Sequence, residues 1–113
     1  MVDGIYLMTY RGAADWGSGM LLLQNGMVTG ADVAGIQYDG SYVETSDSIE
    51  VNLVLTVPPG ASLVQGVPAQ PFTYKIPIKS VLPKSAITKL EPILMELPPG
   101  PVNVIFKKLR DLS

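Results

Sequence analysis

The chain has 113 residues, of which 47% are hydrophobic and only 16% are charged. This length suits one domain, residues 1–113, and the apolar content is too high for a disordered chain. The sequence contains no Cys and no His, which excludes disulfides, thiol nucleophiles, Ser-His-Asp relays and metal sites built on Cys or His. We therefore expect a non-enzymatic protein with no catalytic residue, no metal site and no cofactor.

The formal net charge is −2, which disfavours direct nucleic-acid binding because nucleic-acid binders are usually basic. Residues 1–57 carry seven acids and Arg11, a net charge of −6, whereas residues 58–113 carry seven bases and three acids, a net charge of +4. Either the two halves lie side by side and pair their charges, or they form two faces of opposite sign that steer a partner. No secretory signal and no apolar run of about 20 residues is visible, so we expect a cytoplasmic protein that does not cross a membrane.

Turn signals at short intervals separate short apolar runs, a rhythm typical of an antiparallel meander. Asn25-Gly26 lies between two such runs and is the strongest hairpin signal in the chain. Asp39-Gly40 is either a second tight turn or a bulge in a strand that continues to Val43. In the first half, strands are predicted at residues 4–11, 16–24, 27–33, 36–43 and 49–57, with a polar loop at residues 44–48.

All ten prolines follow residue 57, and the second half is predicted to be less regular because proline cannot donate to a strand ladder. The predicted elements are, in order, a loop at residues 61–71, a strand at 72–78, one helical turn at 85–90, and strands at 93–97 and 102–108. Pro77 indicates either that the first of these strands lies at a sheet edge or that it ends there. In the last strand we expect Val102, Val104 and Phe106 to face the core.

These elements predict an all-β protein, an antiparallel meander of about eight strands with no long helix. A sheet of this size in so short a chain tends to close into a small barrel, because closure removes exposed edges. A two-layer sandwich is the alternative.

Gly17-Ser18-Gly19 resembles the start of a phosphate-binding loop, but Leu22 stands where the third glycine is required. The segment instead predicts a strand whose glycines allow a neighbouring backbone, or a ring such as that of Trp16, to pack closely. Four acids, Asp39, Glu44, Asp47 and Glu50, lack the spacing of a calcium loop. They indicate either a solvated acidic loop or a surface that contacts another protein.

Aromatic side chains either fill a barrel core or line a pocket inside it. The pocket-lining candidates are Tyr6, Trp16, Tyr38, Phe72, Tyr74 and Phe106. A small barrel has few interior positions, so part of the large apolar content must face outward. Contiguous apolar surface usually marks an interface, and we therefore expect a homodimer formed through a symmetric contact.

Several short segments in the first half occur together in a recognisable order. They are Asp3-Gly4-Ile5-Tyr6, Gly17-Ser18-Gly19, Asn25-Gly26, Gly30-Ala31-Asp32 and Tyr38-Asp39-Gly40. This ordered set, within residues 3–57, resembles the GrlR family, named for a negative regulator of type III secretion genes.

The resemblance implies a small barrel of the lipocalin or calycin type. It also implies a dimer without enzymatic activity. It also implies a regulator that binds a transcription activator, with an acidic stretch before the fifth strand as the contact. The matching positions are Glu44, Thr45, Ser46 and Asp47, of which two are acidic.

Two functions therefore stay open. The first is a small regulatory or adaptor protein that binds a protein partner, such as a transcription regulator. The second is a carrier or sensor of a small apolar ligand inside the barrel, since barrels of about eight strands are either filled by side chains or hold one small ligand. A void above about 300 Å³ would favour the ligand.

Overall fold

A computed structural model describes residues 2–112 of the chain. One antiparallel sheet contains its eight strands, and a short helix lies between the sixth and the seventh. The elements are β1 (Gly4–Arg11), β2 (Trp16–Gln24), β3 (Met27–Asp32), β4 (Gln37–Glu44), β5 (Ser48–Val57), β6 (Tyr74–Pro83), α1 (Lys84–Thr88), β7 (Ile93–Leu97) and β8 (Gly100–Asp111).

The strand order is β6-β5-β4-β3-β2-β1-β8-β7. Each described strand pairs with its neighbour in sequence except that β6 and β7 are not paired. In addition, the last strand returns to pair with β1. Some Cα atoms of β6 and β7 nevertheless come within 8 Å of each other. The meander thus curls into a nearly closed barrel, which confirms the predicted fold class, and the sandwich alternative is wrong.

The alternation of side chains along the strands places the core inside the barrel. In β1, Tyr6 and Met8 are buried, while Ile5 and Leu7, which alternate with them, are half-exposed, as the period of two requires. In β8, the predicted inward residues are all buried. Local chemistry also sets the hairpin between β2 and β3, where Asn25 and Gly26 adopt φ values of 52° and 80°, the left-handed pair that matches strand twist.

Gly40 lies inside β4, and both predicted alternatives for it are wrong. The register runs without a shift through Gly40 to Val28 on one side and to Leu53 on the other, so there is neither a turn nor a bulge. A Cβ atom at Gly40 would collide with the backbone carbonyl oxygen of Asn52. The missing side chain therefore lets β5 approach closely where the sheet curls.

The second half follows the predicted order with shifted bounds. The sixth strand begins at Tyr74 and runs to Pro83, so Phe72 lies before it. Pairing of β6 with β5 alone, within residues 2–112, confirms that Pro77 lies on an edge strand. Only Pro98 and Pro99 form the last turn, and Gly100 already belongs to β8. The predicted helical turn is confirmed as α1.

The two ends of the barrel are closed differently. At one end, α1 buries Ala86 and Ile87, and a gap of only about 30 Å³ is left beside Ile87. Asp3 is buried at this end, where the Tyr42 hydroxyl and the Asn25 backbone N–H donate to its carboxylate. These two bonds hold the pKa of Asp3 below its ordinary value. The opposite end is covered by residues 58–73, which we call the strap.

Candidate functional site

A cavity of about 420 Å³ lies at the strap end of the barrel. Its walls are mainly inward-facing apolar side chains of β1, β5, β6 and β8, including Met8, Leu55, Ile76, Ile78, Val104 and Phe106. The volume falls within the range of about 300–1,000 Å³ that is usual for small-molecule sites. It is larger than the void of about 300 Å³ above which a ligand inside the barrel is favoured.

The strap forms the roof of the cavity. Two of its own residues, Ala61 and Leu63, are buried and line the cavity. The Val64 carbonyl oxygen accepts hydrogen bonds from the backbone N–H groups of Ala14 (2.8 Å) and Asp15 (3.1 Å), which ties the strap to the turn between β1 and β2. This roof is held at its centre by backbone hydrogen bonds rather than by a strand ladder.

Asp32, at the end of β3, is the centre of the polar part of the cavity wall. One of its carboxylate oxygens accepts the hydroxyl hydrogens of Tyr10 and Tyr38, both at 2.7 Å. The other accepts the backbone N–H groups of Ala34 (2.9 Å) and Ile36 (3.1 Å). All four contacts come from donors, which is the arrangement of an ionised carboxylate.

The two phenols of this network keep their hydrogens. Burial, followed by the hydrogen bond to Asp32, raises the pKa of Tyr10 well above its ordinary value. Burial is also the main reason that the pKa of Tyr38 is raised, and the negative charge of Asp32 adds to it. Both phenols therefore stay protonated near neutral pH and can donate to Asp32.

The position of the Tyr10 ring explains why the second strand has a glycine at residue 17. Gly17 is the cross-strand partner of Tyr10, and a Cβ atom on Gly17 would lie 2.7 Å from the Tyr10 hydroxyl oxygen. Both predicted kinds of close packing occur: the ring over Gly17 is that of Tyr10 rather than Trp16, and the backbone of Ala31 and Asp32 packs against Gly19. The close approach holds the phenol against Asp32.

The six aromatic candidates are distributed over different parts of the molecule. Trp16, Tyr38 and Phe106 line the large cavity, whereas Tyr6 lines the small gap at the α1 end. Phe72 and Tyr74 line neither space.

Phe72 and Tyr74 instead contact each other. Their rings meet edge to face with centroids 6.3 Å apart, at the start of β6. The Tyr74 hydroxyl is buried and makes no hydrogen bond with any described residue.

Sequence reasoning missed Tyr10 and Asp32 as members of the site. The signal for Tyr10 was present, since it shares the inward face of β1 with Tyr6 and Met8. The signal for Asp32 was weaker. An Asp side chain can accept a hydrogen bond from the backbone N–H two residues further on, here that of Ala34, in a turn that contains a glycine, Gly35.

The four candidate contact residues lie together at the α1 end, opposite the cavity. Glu44 forms an ion pair with Lys84 of α1 at 2.7 Å, and this hydrogen-bonded cation holds the pKa of Glu44 below its ordinary value. The Asp47 carbonyl oxygen accepts the Lys84 backbone N–H at 2.9 Å, and the Thr45 hydroxyl bonds Ser48. Thr45, Ser46 and Asp47 are exposed, so the loop is fixed to α1 and open to solvent.

Residues 2–112 contain no group of three or more Asp, Glu, Cys or His side chains arranged to hold a metal ion. They also contain no helix of the length and apolarity needed to cross a bilayer. Comparison with protein-family models and with curated protein sequences returned no match.

If the cavity is present, a larger side chain should be tolerated at the strap end and not at the α1 end. Val104 faces the large cavity and Val51 faces the small gap, and both are buried. We expect Val104→Phe to change the free energy of unfolding by less than about 1 kcal/mol, because the ring enters empty space. Val51→Phe should cost about 1–3 kcal/mol through overpacking.

Urea unfolding of the two variants measures this difference directly. Equal destabilisation by both substitutions would mean that the strap end is as tightly packed as the α1 end.

Proposed function

We propose that this protein is a small, non-enzymatic regulatory or adaptor protein that acts by binding a protein partner. The observation that carries the proposal is a continuous apolar surface on the outside of the barrel. The resemblance of residues 3–57 to the GrlR family supports the same role and suggests a transcription regulator as the partner.

This surface, which we call the outer β1–β2 face, is built from outward-facing residues of four adjacent strands. Its members are Ile5, Leu7, Met20, Leu22, Ala31 and Ile105. Ile5 pairs with Leu22 and Leu7 pairs with Met20, so their side chains are direct cross-strand neighbours. Met20 is 48% exposed and Ile105 is 40% exposed. Such contiguous apolar surface marks an interaction site.

Charges beside the outer β1–β2 face favour a second copy of the chain as its occupant. Lys107 and Arg110 flank it on β8, and Asp39 flanks it on β4. In a dimer whose two-fold axis runs parallel to the strands, β8 of one copy faces β3 and β4 of the other. The basic side then meets the acidic side twice, which matches the self-complementary contact of a symmetric dimer.

Homodimerisation is tested by Leu7→Lys. Leu7 lies near the centre of the face, and a lysine there places two like charges close to the two-fold axis. We expect the dimer dissociation constant to rise by at least about tenfold, measured by sedimentation equilibrium. Val81→Lys, an exposed position on β6, is the control and should remain dimeric. A wild-type chain that stays monomeric, or a Leu7→Lys chain that stays dimeric, contradicts the proposal.

The α1 end suits a basic partner. Asp47 lies in the loop at residues 44–48, and the exposed acid Glu50 lies beside it at the start of β5. Because Glu44 is already paired with Lys84, Asp47 is the acid of the loop most available to a partner. Transcription regulators carry basic surfaces for DNA, and an acidic surface attracts them.

Asp47→Lys tests this contact. Affinity capture from the source cells should retain a DNA-binding regulator with the wild-type chain and lose it with the variant. Asp15→Lys makes the same charge change at an exposed position near the opposite end, and it should retain the partner. Retention by Asp47→Lys, or loss by both variants, would remove the loop from the interface.

A second function, carriage or sensing of a small apolar ligand, is favoured by the cavity of about 420 Å³. An eight-stranded barrel is wide enough either to be filled by side chains or to hold one small ligand. In this barrel side chains fill the α1 end, whereas the strap end keeps a cavity that is large enough for a small ligand. Ligand binding inside and partner binding outside use different surfaces.

Native mass spectrometry of the untagged protein, purified gently from its own cells, tests for a ligand. We expect an added small mass on each subunit, which disappears after unfolding and refolding in ligand-free buffer. The Val104→Phe chain, whose cavity is smaller, should carry less of it. A wild-type subunit with only its own mass would count against a resident ligand.

A further inference from the structure

We propose that the cavity selects a neutral or cationic amphipathic molecule, with an apolar body and a head that donates hydrogen bonds, and rejects fatty-acid anions. The proposal rests on the second function above, ligand binding in the barrel. It follows from the direction of the hydrogen bonds in the polar wall and from the sign of the charges around it.

The polar wall offers acceptors to the cavity. The hydroxyl hydrogens of Tyr10 and Tyr38 are both committed to Asp32, at 2.7 Å. Each phenol oxygen therefore has only lone pairs left for a ligand. A hydroxyl, an amide N–H or an ammonium group can donate to them, whereas a carboxylate would face their lone pairs and gain no hydrogen bond from either phenol.

The charges that line the cavity have one sign. Asp32 and Asp15 are its charged lining residues, and no Lys or Arg of the described chain is among them. The Asp32 carboxylate accepts hydrogen bonds from four donors of the protein, two on each oxygen. An anionic head would lose its hydration and meet a like charge, and both effects disfavour binding.

The rest of the wall suits an apolar body. Met8, Leu55, Ile76 and Val104 surround the space with side chains that cannot hydrogen-bond. Trp16 lines the mouth and is 63% exposed. It is the only tryptophan in the chain, so its fluorescence reports occupancy of the cavity without a label.

The test uses decanol, decylamine and decanoate, which share one alkyl chain and differ in the head. Each is titrated near neutral pH, below its critical micelle concentration, while Trp16 fluorescence is recorded, and calorimetry confirms binding. We expect decanol and decylammonium to bind at least about tenfold more tightly than decanoate, because the cavity lining contains Asp15 and Asp32 and no cation of the described chain, and the two phenols offer only acceptors.

Substitutions test whether the polar wall causes the preference of decanol and decylammonium over decanoate. Asp32→Asn removes the charge and should reduce the preference over decanoate. The control, Asp39→Asn, removes the same charge from the outer surface of β4 and should leave the preference unchanged. If Asp32→Asn fails to fold, Tyr10→Phe removes one acceptor and should weaken decanol binding several-fold with little effect on decanoate.

The outcomes separate the two proposals. Binding of decanoate as tightly as the other two, or more tightly, overturns the head-group preference and leaves ligand carriage intact. A preference that survives in Asp32→Asn, or in Tyr10→Phe where the first variant does not fold, overturns the assigned polar wall. Absence of binding by all three probes overturns both the preference and the ligand-carrying function.

Discussion

The pairing of β8 with β1 turns an open sheet into a nearly closed barrel. A meander of β1 to β6 alone would leave β1 as an open edge, with one face of the sheet exposed to solvent. The return of the chain along β1, from Gly4 opposite Asp111 to Arg11 opposite Asn103, adds the strands that bring the sheet round towards β6. The inward face then becomes an interior, and burial of apolar side chains there supplies most of the stabilisation.

An interior closed in this way must be filled from its ends as well as its walls. At the α1 end, Tyr6, Ile49 and Ile87 are large and almost completely buried, and little space is left. At the strap end, the residues that could descend into the barrel include Gly60, Ala61 and Ser62, which are short. These small residues line the cavity, and their size contributes to the space that remains under the strap.

Sequence patterns predicted the features that depend on neighbours along the chain. The Asn25-Gly26 hairpin, the inward residues of β8 and the single helical turn each follow from a few adjacent residues. Gly40 could not be resolved in this way, because its role depends on the Asn52 carbonyl oxygen of another strand. The Asp32 network was missed for the same reason: Tyr10 is 22 residues away in sequence, and only the register of β1, β2 and β3 brings the two together. The cavity depends on how the strap folds over the barrel, which no periodicity encodes.

The two proposed binding functions use opposite faces of the same strands. In β1, Met8 and Tyr10 point into the cavity, while Leu7 points to the outer β1–β2 face. The same division holds in β8, where Val104 faces inward and Ile105 faces outward. Because a strand alternates its side chains with a period of two, a substitution on one face leaves the other face unchanged in composition. Loss of dimerisation in Leu7→Lys with retained ligand binding is therefore the behaviour expected of this architecture, and a regulator of this fold has no need to give up its interior to bind a partner.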